Sequence, residues 1–222
     1  MRTIETIGVV GQKSNGKDEV TKRLLTHLPG WSRKGFAEPV KKIFSDYFDF
    51  TPEMIEEWKN IPHCPPNMDK TVRDSLIAIG DGFRKINPRV WTNYAFKNNQ
   101  WKRRIFGDTR YENELNMILR HSGINVFVYR PGWINNMENE SESWSGDIAR
   151  ACQLHGIDGP QSITHGIFFP VTDRGIAYVI RNDGSIEDLE RKVDKMVGWM
   201  KESYRFLEPF SAKEFLEGVD WY

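Results

Sequence analysis

Net charge is what this 222-residue chain most plainly lacks: 31 lysines and arginines stand against 31 aspartates and glutamates. Without a global positive field, the chain is not expected to hold a nucleic-acid backbone or an anionic membrane, so any phosphate site must be local. Cysteine is nearly absent as well. Cys64 and Cys152 lie far apart and form no CxxC spacing, which excludes a disulfide framework and fits the reduced thiols of a cytosolic protein. His63 beside Cys64, or Cys152 with His155, supplies at most half a metal site. No apolar run approaches membrane-spanning length, and MRTIETIGVVG lacks the basic, apolar and small-residue progression of a secretory leader. A cytoplasmic address is therefore expected. Internal repeats and low-complexity tracts are missing too.

What is present is the composition of one folded soluble domain with room for an insertion: 28% charged, 39% hydrophobic and 13% aromatic residues, with eight tryptophans. TIETIGVV, rich in β-branched residues, predicts a strand, and KDEVTKRLLTHL a helix with Val20, Leu24 and Leu28 on one face. WSRKGFAEP is a weaker strand candidate. PVKKIFSDYF predicts a second helix through Val40, Ile43, Phe44, Tyr47 and Phe48, and PEMIEEW a short third one. Further on, TVRDSLIAIGDGFRKI is helical through Val72, Leu76, Ile79 and Phe83, and RRIFGD is a strand ending at Asp108. ENELNMILRHSG is a helix stopped by Gly123, and INVFVYRPG and GIAYVIRN are strands. The last helix, SIEDLERKVDKMVGWMKES, has Ser185 as N-cap and an apolar stripe of Ile186, Leu189, Val193, Met196 and Met200. Alternating strands and helices predict a three-layer α/β/α architecture around a mostly parallel sheet of about five strands. The polar, weakly periodic stretch over about 131–172 is expected to form a lid or substrate loop.

GQKSNGKD, between the first strand and first helix, matches the phosphate-binding loop G-x-x-x-x-G-K-[ST] except at its end, where Asp18 replaces the hydroxyl. Gly11 and Gly16 allow the tight turn, the loop N–H groups and helix N-terminus form a concave anion site, and Lys17 reaches the β- and γ-phosphates. Two roles fit Asp18: a magnesium ligand, direct or through water, or a first-turn acid favouring the helix dipole. In FGDTRYENEL, Asp108 ends a strand and Arg110 follows it, placing a metal-water or hydroxyl partner and a bidentate phosphate clamp at the ligand edge of the sheet. A loop salt bridge is the plainer alternative. Lys41 and Lys42 open a helix, and Arg73, Ile77, Gly80 and Arg84 share a helical face.

In order, GQKSNGKDEV, FAEPVKKIF, VRDSLIAIGDGFRKINPRVW, FGDTRYENEL, VYRPG and IRNDGSIEDLERKV resemble the deoxynucleoside monophosphate kinases of bacteriophages, a branch of the P-loop nucleoside monophosphate kinases. The resemblance implies transfer of the γ-phosphoryl of ATP to a deoxynucleoside monophosphate, with Mg2+. It assigns Gly11, Asn15, Gly16, Lys17, Asp18 and Glu19 to ATP and magnesium, with Lys13 near the transferred group. Asp18 and Asp108 are the metal candidates. Lys41 and Arg73 would contact the acceptor phosphate, Asp108, Arg110 and Glu114 would shape the site between substrates, and Arg130 would open the lid. Asn182 and Asp183 match a turn at the adenine end. Lys17, Lys13 and Arg110 would carry the catalytic charge. Trp91, Trp133 or Trp144 could stack on a base or simply be buried. HGIDGPQSITHGIFFPVTDRG departs from the family as an insertion. The expected partners are a small-molecule nucleotide and, from the resemblance and the tryptophan excess, a second protomer, with no stable nucleic-acid binding.

Overall fold

A computed structural model describes residues 3–97, 103–133, 140–160 and 175–206. Contacts group the chain into two units, one of Met1–Arg33 with Trp101–Tyr222 and one of Lys34–Gln100.

The larger unit is built on a sheet. Strands β1 (Thr3–Ile4) and β2 (Thr6–Val10) lead to helix α1 (Lys17–His27), and β3 (Ser32–Lys34) follows. After the second unit come β4 (Arg104–Thr109), helix α6 (Glu112–Arg120), β5 (Gly123–Tyr129), helix α7 (Glu140–His155), β6 (Gly159–Pro160), β7 (Ile176–Arg181), helix α8 (Ile186–Ser203) and β8 (Arg205–Phe206). Six strands lie in the order β3-β4-β2-β5-β7-β6, one more than the roughly five expected, and β1 pairs with β8 in a separate two-stranded ribbon. The β2–β4, β2–β5 and β5–β7 pairings are parallel; the two-residue β6 joins antiparallel at the edge.

Parallel strands need cover on both faces, and the residue alternation supplies it. Ile7, Val9, Val126, Val128 and Ile180 face a core completed by Val20 and Leu24 of α1 and by Leu189, Val193, Met196 and Met200 of α8. Val10, Phe127, Tyr129 and Val179 face a second core with Leu115 of α6 and Ile148, Ala149 and Cys152 of α7. The expected three-layer α/β/α architecture is therefore the one the chain adopts. Ser185 caps α8 as expected, accepting from the Asp188 N–H at 3.2 Å.

The sequence reading and the fold differ at several points in this unit; Ile186, expected on the apolar stripe of α8, is exposed. Gly123 does not end α6: Ser122 takes the left-handed conformation (φ 53°) and Gly123 begins β5. Its glycine identity answers crowding, since a Cβ there would lie 2.5 Å from the Ile118 carbonyl oxygen and 2.8 Å from that of Thr6. The stretch expected as a weakly structured loop contains α7, whose buried Ser145, Ile148, Ala149 and Cys152 follow i, i+3, i+4, i+7 spacing. Small residues let that helix approach the sheet and hide its periodicity from a reading based on hydrophobicity. The remainder of the apparent insertion, 161–174, lies outside the described residues.

Helices α1 and α8 are also joined by charge. Arg23 donates to both carboxylate oxygens of Asp194 at 2.7 Å, and His27 Nε2 is 2.7 Å from one of them. The Arg23 hydrogen bonds, helped by His27, pull the Asp194 carboxyl down to about 2. A depressed acid stabilises the fold above its unfolded pKa, about 3.9, and loses that contribution as pH falls through the folded value. Asp194 is about a third exposed, so screening holds the effect near 1 kcal/mol or less. Asp194→Asn is expected to lower Tm at pH 7, with the difference from wild type closing between about pH 4 and pH 2; a difference constant down to pH 2 would contradict the assignment.

The second unit is helical: α2 (Glu38–Phe48), α3 (Pro52–Trp58), α4 (Val72–Ile86) and α5 (Val90–Phe96). Thr51 and Thr71 cap α3 and α4 through their hydroxyl oxygens. Phe44, Ile55 and Val72 form its buried centre, with Phe50, Trp58, Leu76 and Ile79 packed around them. Tyr47, Phe48 and Phe83, expected on apolar stripes, are exposed. Among the described residues no helix is long and apolar enough to cross a membrane.

Candidate functional site

Because the central strands run parallel, their carboxyl ends share one edge of the sheet: Val10 pairs with Thr109 and with Phe127, and Tyr129 pairs with Arg181. The residues that leave those ends are Gly11, Arg110, Arg130 and Asn182. Strand β2 has β4 on one side and β5 on the other, so the chain order diverges at the glycine loop, the position where open α/β sheets bind ligands.

The loop from Gly11 to Gly16 is held from two sides. Asn15 Nδ2 reaches the Val128 carbonyl of β5 at 3.4 Å, and Asn182 Nδ2 donates to the Asn15 carbonyl at 3.0 Å. Asn182 is itself fixed by its N–H to the Tyr129 carbonyl at 2.8 Å. Gly11 (φ 152°) and Gly16 (φ 99°) both require glycine: a Cβ would meet the Val128 carbonyl oxygen at 2.3 Å in the first case and Asn182 Nδ2 at 2.7 Å in the second. Gly16 precedes α1, so the loop delivers its N–H groups to a helix N-terminus, a ready anion site. Lys17 is 8% exposed, and its ammonium lies across the loop, donating to the Gln12 carbonyl at 2.6 Å. Asn15 Oδ1 is fully buried without a hydrogen-bond partner among the described residues.

The other expected site residues of this unit fall as follows. Lys13 is exposed on the loop, and Glu19 pairs with Lys22 at 2.7 Å on α1. Asp108 is half-buried near the end of β4, and Arg110 is half-buried just beyond it. Glu114 is 3% exposed, and its carboxylate accepts from the N–H groups of Arg110 (2.7 Å) and Tyr111 (3.1 Å), fixing the turn that carries Arg110. Arg130 is exposed after β5. Asp183 takes a 2.9 Å hydrogen bond from Lys192, which holds its carboxyl below the ordinary range. Burial pushes Lys192 down, but Asp183 and Asp158 outweigh it, and its pKa is raised. Lys192, Asp183, Gly184 and Asp188 line an open cavity of about 510 Å³. Trp133 is half exposed, and Trp144 packs against the second core.

In the helical unit, Lys41 donates to Glu56 at 2.5 Å, and Arg73 reaches the Lys59 carbonyl at 3.2 Å and Asn60 at 3.1 Å. Trp91 is 4% exposed; its indole N–H donates to the Gly80 carbonyl at 3.1 Å, and its ring lies 5.3 Å from Phe83. Of the two alternatives open to Trp91, its packing within its own unit matches burial.

Sequence reasoning missed Arg33, whose guanidinium donates to the Asp18 carboxylate. Nothing in WSRKGF marks it, because only the pairing of strands brings β3 toward α1. The second omission is the bracing role of Asn182, which the sequence suggested only for the adenine end. For magnesium, the side chains on offer are hard oxygens: the exposed Asp18 and the half-buried Asp108. Among the described residues no cluster of three or more His, Cys, Asp or Glu could cage a metal. The set fits an ion that brings most of its ligands with it as water and phosphate, as magnesium does.

No protein-family model matches the chain. It is 28% identical over 154 residues, 61% of its own length and 79% of the other's, to an Acanthamoeba polyphaga mimivirus protein provisionally described as a deoxynucleotide monophosphate kinase. Among solved structures it is similar to dephospho-CoA kinase from Campylobacter jejuni, with 12% identity, 89% of this chain and 98% of that one covered, and a TM-score of 0.42. A Thermus thermophilus protein gives 12% identity, 90% and 99% coverage, and a TM-score of 0.44.

Proposed function

We propose that this protein is an ATP-dependent P-loop kinase that transfers the γ-phosphoryl group to a deoxynucleoside monophosphate, giving the diphosphate and ADP. The observation that carries the reading is the glycine loop itself: Gly11, Gly16 and Lys17 lie at the carboxyl end of the central strand β2, braced by Asn182 and Val128, with Arg110 and Arg130 leaving the same sheet edge. The description of the mimivirus relative supports the nucleotide acceptor; that relative is not a phage protein, so the phage branch rests on the motifs alone.

Phosphoryl transfer through a loose transition state asks for positioning and charge neutralisation and little else. The acceptor phosphate is already an anion, so no general base is needed. Lys17 would neutralise charge between the β- and γ-phosphates, with Lys13 beside the migrating group and Arg110, on the turn that Glu114 holds, facing both substrates. Asp18 and Asp108 would hold magnesium, which supplies further neutralisation of the phosphates when bound. Glu19, Asn182 and Asp183 belong to the donor side. On the acceptor side, Lys41 and Arg73 would exchange their present partners Glu56 and Asn60 for the monophosphate, with Trp91 shaping that unit's interior. Arg130, exposed just beyond β5, would contact phosphate oxygens of the bound nucleotide. The same reading carries a cytoplasmic address and paired protomers.

An ADP-release assay with ATP, Mg2+ and each deoxy- and ribonucleoside monophosphate in turn tests it. At least one deoxynucleoside monophosphate is expected to raise ADP release well above the basal rate, with little sensitivity to moderate salt, unlike a nucleic-acid-binding enzyme. If no monophosphate stimulates release, the kinase reading fails.

A further inference from the structure

Asp18 stands where the phosphate-loop motif has a hydroxyl, and it already has a partner. Arg33, from the edge strand β3, donates from Nη2 to Asp18 Oδ1. Gly107 of β4 lies beside that arginine: a Cβ there would lie 3.5 Å from Arg33 Nε and 2.8 Å from Thr21 Oγ1. Thr21 is anchored to the Lys17 carbonyl at 2.8 Å. The guanidinium is therefore held among the first turns of α1 and the strand that carries Asp108. Both partners are exposed, with relative side-chain accessibilities of 48% for Arg33 and 68% for Asp18. An exposed pair of this kind contributes little to folding, so its place in the loop needs another account.

That account is electrostatic, and it rests on the proposed nucleotide function. A bare carboxylate directly after the phosphate-binding lysine would repel a polyphosphate. Arg33 offsets that charge, on the carboxylate that the proposed magnesium ion would share. We propose that Arg33 is a positioning residue that exchanges with magnesium at Asp18: it holds the carboxylate in the free protein, gives it up when the metal arrives with the nucleotide, and turns its guanidinium to phosphate oxygens, its preferred planar anions.

The exchange predicts two separate effects, one on nucleotide affinity without metal and one on the magnesium dependence. ADP affinity measured calorimetrically in EDTA should fall about two- to fivefold in Arg33→Ala, because Asp18 is then uncompensated; the magnesium concentration that half-restores affinity should fall by a similar factor, because the competing cation is gone. Arg33→Lys should lie between the two. In an Asp18→Asn background, Arg33→Ala should no longer alter the magnesium dependence, as a coupled pair requires. Binding by the wild type with a magnesium dependence that Arg33→Ala leaves unchanged overturns the exchange alone, as does a shift that persists in Asp18→Asn. Failure of the wild type to bind ADP or ATP at all overturns the nucleotide reading and the exchange with it.

Discussion

Lys17→Ala is expected to lower turnover in the ADP-release assay at least ~100-fold, the loss typical of a single preorganised charge at a transition state. The loop explains why so much depends on one side chain. Lys17 is the first residue of α1, its stem is buried and its ammonium is tethered to the Gln12 carbonyl at 2.6 Å, inside the turn whose N–H groups would receive phosphate. Charge that moves toward the β–γ bridging oxygen during transfer would meet that ammonium with no reorganisation of solvent. Lys17→Arg is not expected to rescue turnover, since a planar guanidinium does not occupy the space of a compact ammonium within hydrogen-bond reach of Gln12. Lys17→Met keeps the apolar stem and should retain wild-type Tm while losing turnover, which separates chemistry from folding. Near-wild-type turnover in Lys17→Ala would remove the phosphate-loop assignment.

How much of this was legible beforehand depended on which physical signal each part carries. Helix α1 and most of α8 were readable because large apolar residues recur on one face, and Val20, Leu24, Leu28, Leu189, Val193, Met196 and Met200 are all buried. The phosphate loop was readable because glycine positions and a lysine at fixed spacing are local chemistry. Helix α7 was not, because its buried face is made of Ser145, Ala149 and Cys152 around Ile148, residues whose value is closeness of approach and not hydrophobicity. Gly123 was misread as a helix stop because glycine serves both left-handed backbone and crowded contacts, and only the positions of the Ile118 and Thr6 carbonyls distinguish them. Arg33 was invisible for a third reason: its partner Asp18 is defined by strand order, and strand order is a property of the sheet as a whole.

Gly11→Ala is expected to damage both folding and binding, and for a geometric reason that can be isolated. At φ 152° an L-residue is strained, and the added Cβ would sit 2.3 Å from the Val128 carbonyl oxygen, a backbone atom of β5 that cannot rotate away. Strain and overpacking of this kind cost about 3 kcal/mol together, which for a chain of this size is a fall in Tm of roughly 6–12 °C. The same oxygen receives the Asn15 amide at 3.4 Å, so relief of the clash displaces Asn15, whose carbonyl is in turn the anchor of Asn182. Loss of the loop's shape should therefore accompany loss of stability, and nucleotide affinity should fall more than tenfold, the effect of about 1.4 kcal/mol. Gly198→Ala is the matched control: Gly198 lies on the exposed side of α8 with nothing within 4 Å of an added Cβ, and relief of glycine's helix penalty should raise stability by about 0.5–1 kcal/mol. Thermal denaturation and ADP titration of the two variants side by side decide the matter. If Gly11→Ala keeps wild-type Tm and affinity, the loop is not clamped between Val128 and Asn182 in solution, and its reading as a preformed phosphate cradle falls.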